Sequence, residues 1–247
     1  MIDKKVVVVA TGGTIAMKYD KEKHGLVPAC SGKDLADAVP GLGDIAPLEF
    51  VQFSNIASPG MTPQNMWDLH CKIEELLARD DVAGVVVTHG TDTLEETSFF
   101  LDITAKSQKP VVCTAAMRGA SDISPDGPYN IYCSVKTAAS PQAVGMGVMV
   151  CLDEILQAPG EVMKTHSANP ATFQSPWWGP IGYVDIDHIV WRRMVLGVKR
   201  FHPQALTARV DLIKCMTGST RAYVGFALRV LAAAMCRRPW FQELLMQ

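Results

Sequence analysis

The stretch that most constrains this chain runs from Val6 to Ala16 and reads VVVVATGGTIA. Four consecutive valines form a short, apolar, β-branched run, which predicts a strand buried on both faces of a sheet. Gly12 and Gly13 permit a tight turn and a close approach of other groups to the backbone. Thr14 follows at the carboxyl end of the predicted strand, where open parallel sheets bind ligands. Taken alone, the fragment is more typical of a glycine turn with a capping threonine than of a site.

Strand-like and helix-like segments alternate through the first 155 residues. Alternation of this kind predicts βαβ units, and therefore an α/β fold with an open, mostly parallel sheet flanked by helices. The predicted strands are residues 6–9, 48–53, 84–87, 110–113 and 147–152. The predicted helices are residues 31–39, 63–77, 94–105 and 129–139.

Local signals predict where these helices begin. Thr62 and Pro63 supply an N-cap followed by a proline at the first helical position. Thr93 and Glu96 have the spacing of a capping box, as do Ser31 and Asp34. His70 falls on the apolar stripe of the second helix, which is typical of a packed core histidine.

Three of the predicted strands end in small hydroxyl residues and glycines: residues 11–14, 88–93 and from 114 onward. Parallel strands bring such ends to one edge of a sheet, so the pattern predicts a site there. Two threonines and Asp92, with no GxGxxG motif and no P-loop lysine, favour attack of a hydroxyl on a carbonyl. Asp92 could activate a threonine, directly or through a lysine, or could cap the following helix. Backbone N–H groups of the glycine turns could hold an oxyanion.

Composition excludes several other classes of function. The formal net charge of −2 and the pI near 6.3 give no electrostatic case for binding nucleic acid or an anionic membrane. No apolar run reaches about 18 residues, and the apolar run before Gly12 is too short for a signal-peptide core. The seven cysteines contain no CxxC pair, which predicts reduced thiols in a cytoplasmic protein rather than disulfides or a metal site.

The motifs Thr11–Ala16 (TGGTIA) and His89–Thr97 (HGTDTLEET) resemble the two signature segments of the bacterial-type L-asparaginase/glutaminase family. Further matches are the segments 116–118 (AMR), 126–130 (DGPYN) and 164–166 (KTH), the last leading to Phe173. The resemblance runs in register from about Lys5 to about Leu212.

This resemblance implies an amidohydrolase that splits the side-chain amide of asparagine into aspartate and ammonia, without a metal or organic cofactor. Thr14 would be the nucleophile of a covalent acyl-enzyme. Thr91 and Lys164 would form the second part of the machinery, with Asp92 orienting the lysine and meeting the substrate α-amino group. Which threonine attacks first is left open, and Lys164 taken alone is typical of a solvated surface charge.

The resemblance also implies a set of substrate contacts. The hydroxyl of Ser58 would meet the substrate carboxylate, and the backbone carbonyl of Ala116 would meet the scissile amide. Pro59 offers neither a donor nor a charge where the family commonly has a polar residue, so the preference between asparagine and glutamine stays open. The predicted substrate-binding residues are Ser58, Pro59, Gly90, Thr91, Asp92 and Ala116.

The end of the chain departs from the family. We expect a catalytic domain at residues 1–190, a linker at 191–207, and a remnant of the smaller second domain at 208–247, with a strand at 208–215 and a helix at 221–235. Residues 153–187, rich in proline and glycine, are expected to be irregular. Family sites lie between subunits of a homodimer or homotetramer, and a partner carboxylate holds the substrate amino group. From about Arg229 onward the chain shows no family resemblance, which leads to the hypothesis of a truncated or frame-shifted end, and no position here is assignable to that carboxylate.

Two classes of function therefore stand after the sequence alone. The first is a working amidohydrolase that prefers asparagine, or a glutaminase-asparaginase. The second is a catalytically impaired relative that retains the site and acts as a binding or interaction module. A subunit that feeds ammonia to another enzyme is a third, weaker alternative.

Overall fold

The computed structural model describes residues 3–13, 17–20, 25–28, 39, 41–196, 198–208, 210, 212, 214, 216–218, 220, 222 and 225. The chain divides into two units, residues 1–206 and 207–247. The limits of 1–190, 191–207 and 208–247 remain a prediction. Thr14 and the predicted helix start at Ser31 lie outside the described residues.

The first unit is organised around an eight-stranded sheet. Its strands are β1 (Lys5–Ala10), β4 (Leu48–Gln52), β5 (Val82–Thr88), β6 (Val111–Thr114), β7 (Val148–Leu152), β8 (Ile155–Gln157), β11 (Gly182–Val184) and β12 (Ile189–Trp191). The spatial order is β4-β1-β5-β6-β7-β8-β11-β12, parallel as far as β7 and antiparallel beyond it. Two small antiparallel pairs join β2 (Met17–Asp20) to β3 (Gly25–Pro28), and β9 (Met163–Lys164) to β10 (Phe173–Gln174).

Helices cover both faces of this sheet. They are α1 (Leu42–Ile45), α2 (Pro63–Leu77), α3 (Leu94–Thr104) and α4 (Gly127–Ala139), with 3-10 turns at Ser58–Gly60, Pro141–Ala143 and Pro170–Thr172. Because side chains alternate along a strand, Val6 and Val8 pack on the α1 and α4 side, while Val7 and Val9 pack on the α2 and α3 side. Each face thus has its own hydrophobic core.

The predicted α/β architecture is confirmed, and all five predicted strands are present with ends shifted by at most two residues. The prediction for residues 153–187 is wrong, because four short strands, β8 to β11, lie within that segment. In the predicted strand at 208–215, the described positions 208, 210, 212 and 214 are not in a strand. In the predicted helix at 221–235, the two described positions, Ala222 and Gly225, are helical.

One of the two capping predictions in the described chain is correct. Thr62 accepts a hydrogen bond from the backbone N–H of Asn65, and Asn65 accepts one from the Thr62 backbone, which makes a capping box with Pro63 at the first helical position. The capping box predicted at Thr93 is wrong. Its hydroxyl donates instead to the Ser58 carbonyl at 2.8 Å, in a different loop.

The described cysteines agree with reduced thiols. Cys71, Cys113, Cys133 and Cys151 are all free, and only Cys71 is exposed. Burial raises the pKa of Cys113 and of Cys133 to about 12. In the part of the chain that the structure describes, no helix has the length and apolar character needed to cross a membrane.

His70 is a core residue, as its position on the apolar stripe predicts. Its ring is buried beside Trp67, with 5.2 Å between ring centroids, and its Nδ1 lies 3.2 Å from the Thr104 hydroxyl of α3. Burial lowers the pKa of His70, because the interior disfavours the charged ring. Burial likewise lowers the pKa of His89, the residue after β5.

Replacing Gly84 by alanine is expected to destabilise the fold. A Cβ at this position in β5 would lie 2.6 Å from the carbonyl oxygen of Ala138 in α4 and 2.9 Å from that of Pro110. Overpacking of this kind costs about 1–3 kcal/mol, which denaturant unfolding would measure. The matched control is Gly43→Ala in α1, where no atom lies within 4 Å and stability should be retained. Equal midpoints for the two variants would contradict the prediction.

The buried histidines should make the free energy of unfolding fall in mild acid. The folded-state pKa of His70 lies below the unfolded value of about 6.5, so its contribution is complete above about pH 6.5 and is lost as the pH falls toward the folded-state pKa. The slope is at most about 1.4 kcal/mol per pH unit for each histidine. His70→Leu should reduce the slope measured by unfolding between about pH 7.5 and pH 5.5. His188→Gln, at an exposed position, is the control, and an unchanged slope in His70→Leu would refute the assignment.

Candidate active site

The carboxyl ends of β1 and β5 form the centre of the candidate site. These strands are neighbours in the sheet, but the chain leaves β1 toward β4 on one side and leaves β5 toward β6 on the other. Divergence of this kind opens a crevice at the strand ends, where parallel sheets bind ligands. The loops after β1, β4 and β5 meet at this crevice.

The loop after β4 is hydrogen-bonded to the turn after β1. The backbone N–H of Phe53 donates to the Ala10 carbonyl at 2.9 Å, and that of Ile56 donates to the Thr11 carbonyl at 2.9 Å. Gly12 has a φ of +115°, and a Cβ there would lie 2.6 Å from the Ile56 carbonyl oxygen. The first glycine of the TGGT motif therefore makes room for the backbone of the loop that carries Ser58.

The second glycine of the motif makes room for the loop after β5. Gly13 has a φ of +87°, and a Cβ built on it would lie 2.4 Å from the backbone nitrogen of Gly90. A Cβ on Gly90 would in turn lie 2.6 Å from the Ser58 hydroxyl oxygen. Glycine at both positions thus brings three loops into direct contact, and Gly13 is the residue before Thr14.

Thr91, Asp92 and Lys164 form one hydrogen-bonded group. The Lys164 Nζ donates to Thr91 Oγ1 at 2.9 Å and to Asp92 Oδ1 at 2.6 Å. Thr91 is 7% exposed and the Lys164 side chain 19%, whereas the Asp92 side chain is 57% exposed. Asp92 therefore pairs with the lysine, and no side-chain hydrogen bond caps α3.

The backbone of Lys164 is held by the same segment of chain. Its N–H donates to Glu95 Oε2 at 2.8 Å, and Lys164 pairs with Phe173 in the β9–β10 hairpin. Phe173 is buried in the core under α2 and α3, which anchors the hairpin.

Ser58 is buried against the loop after β5. The backbone N–H of Asp92 donates to its hydroxyl oxygen at 3.1 Å, and the Thr93 hydroxyl donates to its carbonyl. Because the Ser58 oxygen accepts from an amide, its own proton remains available to another acceptor. Pro59 follows in the 3-10 turn and is exposed.

Ala116 lies on the loop after β6, which is fixed by the start of α4. The Asp126 carboxylate accepts hydrogen bonds from the backbone N–H groups of Met117 and Arg118, at 3.0 and 2.9 Å. The side-chain amide of the buried Asn130 donates to the Ala115 carbonyl at 2.9 Å. The peptide units on both sides of Ala116 are therefore held.

His89 supports the turn at Gly90. Its Nδ1 lies 2.8 Å from the Gly90 carbonyl oxygen, and its Nε2 lies 3.1 Å from the Thr97 hydroxyl. A carbonyl only accepts, so we assign the proton to Nδ1 and the Thr97 hydroxyl as donor to Nε2. The lowered pKa of the buried His89 is consistent with this neutral form.

The structure brings five of the predicted residues together: Ser58, Gly90, Thr91, Asp92 and Lys164. Thr14 lies outside the described residues, although Gly13 before it touches Gly90. Pro59 lies beside Ser58, and Ala116 lies on a separate loop at the same edge of the sheet.

Two of the hydroxyl residues at the strand ends have structural partners. Thr11 donates to the Thr88 carbonyl at 3.0 Å, and Thr114 donates to the Cys151 carbonyl at 2.7 Å. Both hydroxyls connect neighbouring strands. The loops at the strand ends do meet, but these two threonines have a structural role there.

The sequence did not single out Glu95, Asp126, Asn130 or His89 for the contacts they make. Each forms a hydrogen bond with a backbone group or with a group in a distant segment. The spacing of residues along the chain does not predict such contacts. The DGPYN match did point to the segment that contains Asp126 and Asn130, but not to the loop they hold.

Two other features of the described chain share no residue with this site. A cavity of about 780 Å³ lies between α3 and residues 194–201 and is lined by apolar side chains such as Phe99, Ile103 and Val195. Asp185, Asp187 and His188 form an exposed group at the β11–β12 turn whose atoms are close enough to hold a metal ion. Exposed acidic groups of this kind are common without an ion.

Comparison with known proteins assigns the chain to a family. The family model of the N-terminal asparaginase domain matches residues 5–196. The chain is 42% identical over 184 residues to L-asparaginase 2 of Bacillus subtilis, covering 73% of this chain and 49% of the relative. It is 40% identical over 191 residues to L-asparaginase 2 of Escherichia coli, covering 76% of this chain and 54% of the relative.

Two further relatives extend the comparison. The chain is 37% identical over 198 residues to the glutaminase-asparaginase of Pseudomonas fluorescens, covering 76% of this chain and 53% of that protein. The crystal structure of a probable cytoplasmic L-asparaginase from Campylobacter jejuni superposes with a TM-score of 0.82 at 35% identity, covering 91% of this chain and 70% of that one.

The chain thus spans about half the length of the curated relatives it matches. The family model nevertheless covers more than half of this chain, including β1, β5 and the loops that meet at Gly90. The resemblance found in the sequence motifs is confirmed, and the chain belongs to the bacterial-type asparaginase family.

Proposed function

We propose that this chain supplies the catalytic domain of an L-asparaginase, which hydrolyses L-asparagine to L-aspartate and ammonia through a threonine acyl-enzyme. The observation that carries the proposal is the contact of Lys164 Nζ with both Thr91 and Asp92. A lysine drawn into such contact with a buried threonine and a carboxylate, beside a glycine crevice, is suited to proton transfer.

The reaction proceeds in two balanced steps. The Thr14 oxygen adds to the side-chain amide carbon, its proton passes to the leaving nitrogen, and the carbon–nitrogen bond breaks to give ammonia and an ester. Water then attacks the ester, aspartate leaves, and the Thr14 hydroxyl is restored. Thr91 and Lys164 relay the proton or position the water, and the Asp92 carboxylate keeps the lysine oriented.

The substrate is held by groups that surround this machinery. The Ser58 hydroxyl donates to the substrate carboxylate, since its oxygen already accepts from the Asp92 amide. The exposed Asp92 carboxylate meets the substrate α-amino group, and the Ala116 carbonyl meets the scissile amide. Backbone N–H groups near Gly13 and Gly90 face the developing oxyanion, where fixed donors lower the barrier most.

The wider setting is part of the same proposal. The substrate is asparagine, with glutamine as the second candidate because one relative is named a glutaminase-asparaginase. The four described thiols are free and three of them are buried, which supports a cytoplasmic location, where thiols stay reduced. The protein acts as a homodimer or homotetramer, which light scattering tests: a monomeric mass would contradict it.

Thr91→Val and Lys164→Met should each lower turnover of asparagine at least ~100-fold, since each removes a member of the proton-transfer pair. Ammonia release from asparagine and from glutamine measures this on the purified 247-residue chain. Lys72→Met is the matched control, because Lys72 forms an exposed ion pair with Glu75 on α2. No ammonia from either substrate with the folded wild-type chain would favour a binding module over an enzyme.

Thr14→Ala should also lower turnover at least ~100-fold, because it removes the proposed nucleophile. In addition, it should abolish the acyl-enzyme that rapid quenching and mass spectrometry would trap on the wild-type chain. If the Thr14→Ala variant still formed an acyl adduct, another residue would be the nucleophile, and Thr91 would be the first to test.

A further inference from the structure

Lys164 is held at both ends by one short segment of the chain. Thr91 and Asp92 bind its side-chain nitrogen, and Glu95 binds its backbone N–H through Oε2 at 2.8 Å. Lys164 belongs to a strand of only two residues, so few ladder hydrogen bonds fix its backbone. The placement of Nζ against Thr91 therefore depends on where the lysine backbone is held.

The rest of the hairpin is anchored without Glu95. Phe173 in β10 and Val162 before β9 are buried in the core, and the Gln157 side chain donates to the Phe173 carbonyl at 3.1 Å. Loss of the Glu95 carboxylate would therefore leave the hairpin attached, while removing the contact that sets the position of Lys164 relative to Thr91.

Glu96, the residue next to Glu95, allows a specific contact with Lys164 to be distinguished from a general effect of negative charge. Glu95 and Glu96 both lie in the first turn of α3, where a carboxylate interacts favourably with the helix dipole. Glu96 is exposed, whereas Glu95 is partly buried against Lys164. A substitution at Glu96 removes the same charge from the same turn and leaves the bond to Lys164 intact.

We propose that Glu95 is a positioning residue for Lys164: its carboxylate, by accepting the Lys164 backbone N–H, holds Nζ where it contacts Thr91 and Asp92. This inference rests on the proposed asparaginase function for its kinetic consequence, but not for its geometry. A hydrogen bond to a carboxylate is of the stronger kind, and its loss corresponds to about a 10- to 100-fold effect.

The kinetic test compares Glu95→Ala, Glu95→Gln and Glu96→Ala in the full chain. Glu95→Ala should lower kcat for asparagine about 10- to 100-fold with KM within about threefold, because the lysine acts on the reaction more than on binding. Glu95→Gln, whose amide oxygen still accepts, should restore most of the loss, and Glu96→Ala should stay within about twofold. Equal losses in Glu95→Ala and Glu96→Ala would overturn the proposal.

A double-mutant cycle shows whether Glu95 acts through the lysine. In a Lys164→Met background, Glu95→Ala should cause no further loss of kcat, because the side chain it positions is already absent. An undiminished further loss would mean that Glu95 acts by another route, and the proposal would fail.

A second readout does not depend on activity. Acylation of Lys164 by an amine-specific reagent, followed by mass spectrometry and normalised to Lys72, should be at least about threefold faster in Glu95→Ala than in Glu96→Ala, since the side chain loses its fixed contacts. If the wild-type chain releases no ammonia, the proposed function fails, and this measurement alone decides the positioning role. Equal acylation rates in the two variants would then overturn it.

Discussion

The close approach of the Gly13 backbone to the Gly90 backbone is the constraint on which the candidate site depends. A Cβ on Gly13 would fall 2.4 Å from a backbone nitrogen, and no change of side-chain rotamer relieves a clash with backbone. The approach follows from β1 and β5 being paired neighbours, with Ala10 opposite Thr88 at their ends. The sheet register therefore sets the distance between two motifs that lie more than seventy residues apart in sequence.

Near the contact between Gly13 and Gly90, the two charged side chains of the site differ in exposure to solvent. Lys164 is largely covered and donates to the buried Thr91, while its partner Asp92 is more than half exposed. The cation is thus held at the threonine, and the carboxylate stays open at the rim of the crevice. A substrate that carries both an ammonium and an amide group could meet the carboxylate with the first and the threonine with the second.

Local sequence predicted what local interactions determine. The valine run, the helix at Pro63 and its cap depend on neighbouring residues, and they were predicted correctly. Thr93 has the spacing of a capping box, but its hydroxyl donates to the carbonyl of Ser58, which lies in a distant loop. The strands between residues 153 and 191 have only two or three residues each and are formed by tertiary pairing, so they are too short to show a hydrophobic periodicity in the sequence. Lys164 was found only through the resemblance, because 72 residues separate it from Asp92.

The residues that the sequence did not single out share one physical role. Asp126, Asn130 and His89 each bond a backbone group of a loop at the carboxyl edge of the sheet, and Glu95 bonds the backbone of the two-residue strand β9. Loops lack the regular hydrogen bonds of strands and helices, and a buried backbone group without a partner costs about 1–3 kcal/mol. Side chains that satisfy those groups therefore stabilise the loops and, by the same bonds, fix where the neighbouring side chains point. Stability and the geometry of the site are coupled at these positions, so selection for either would maintain the same residues.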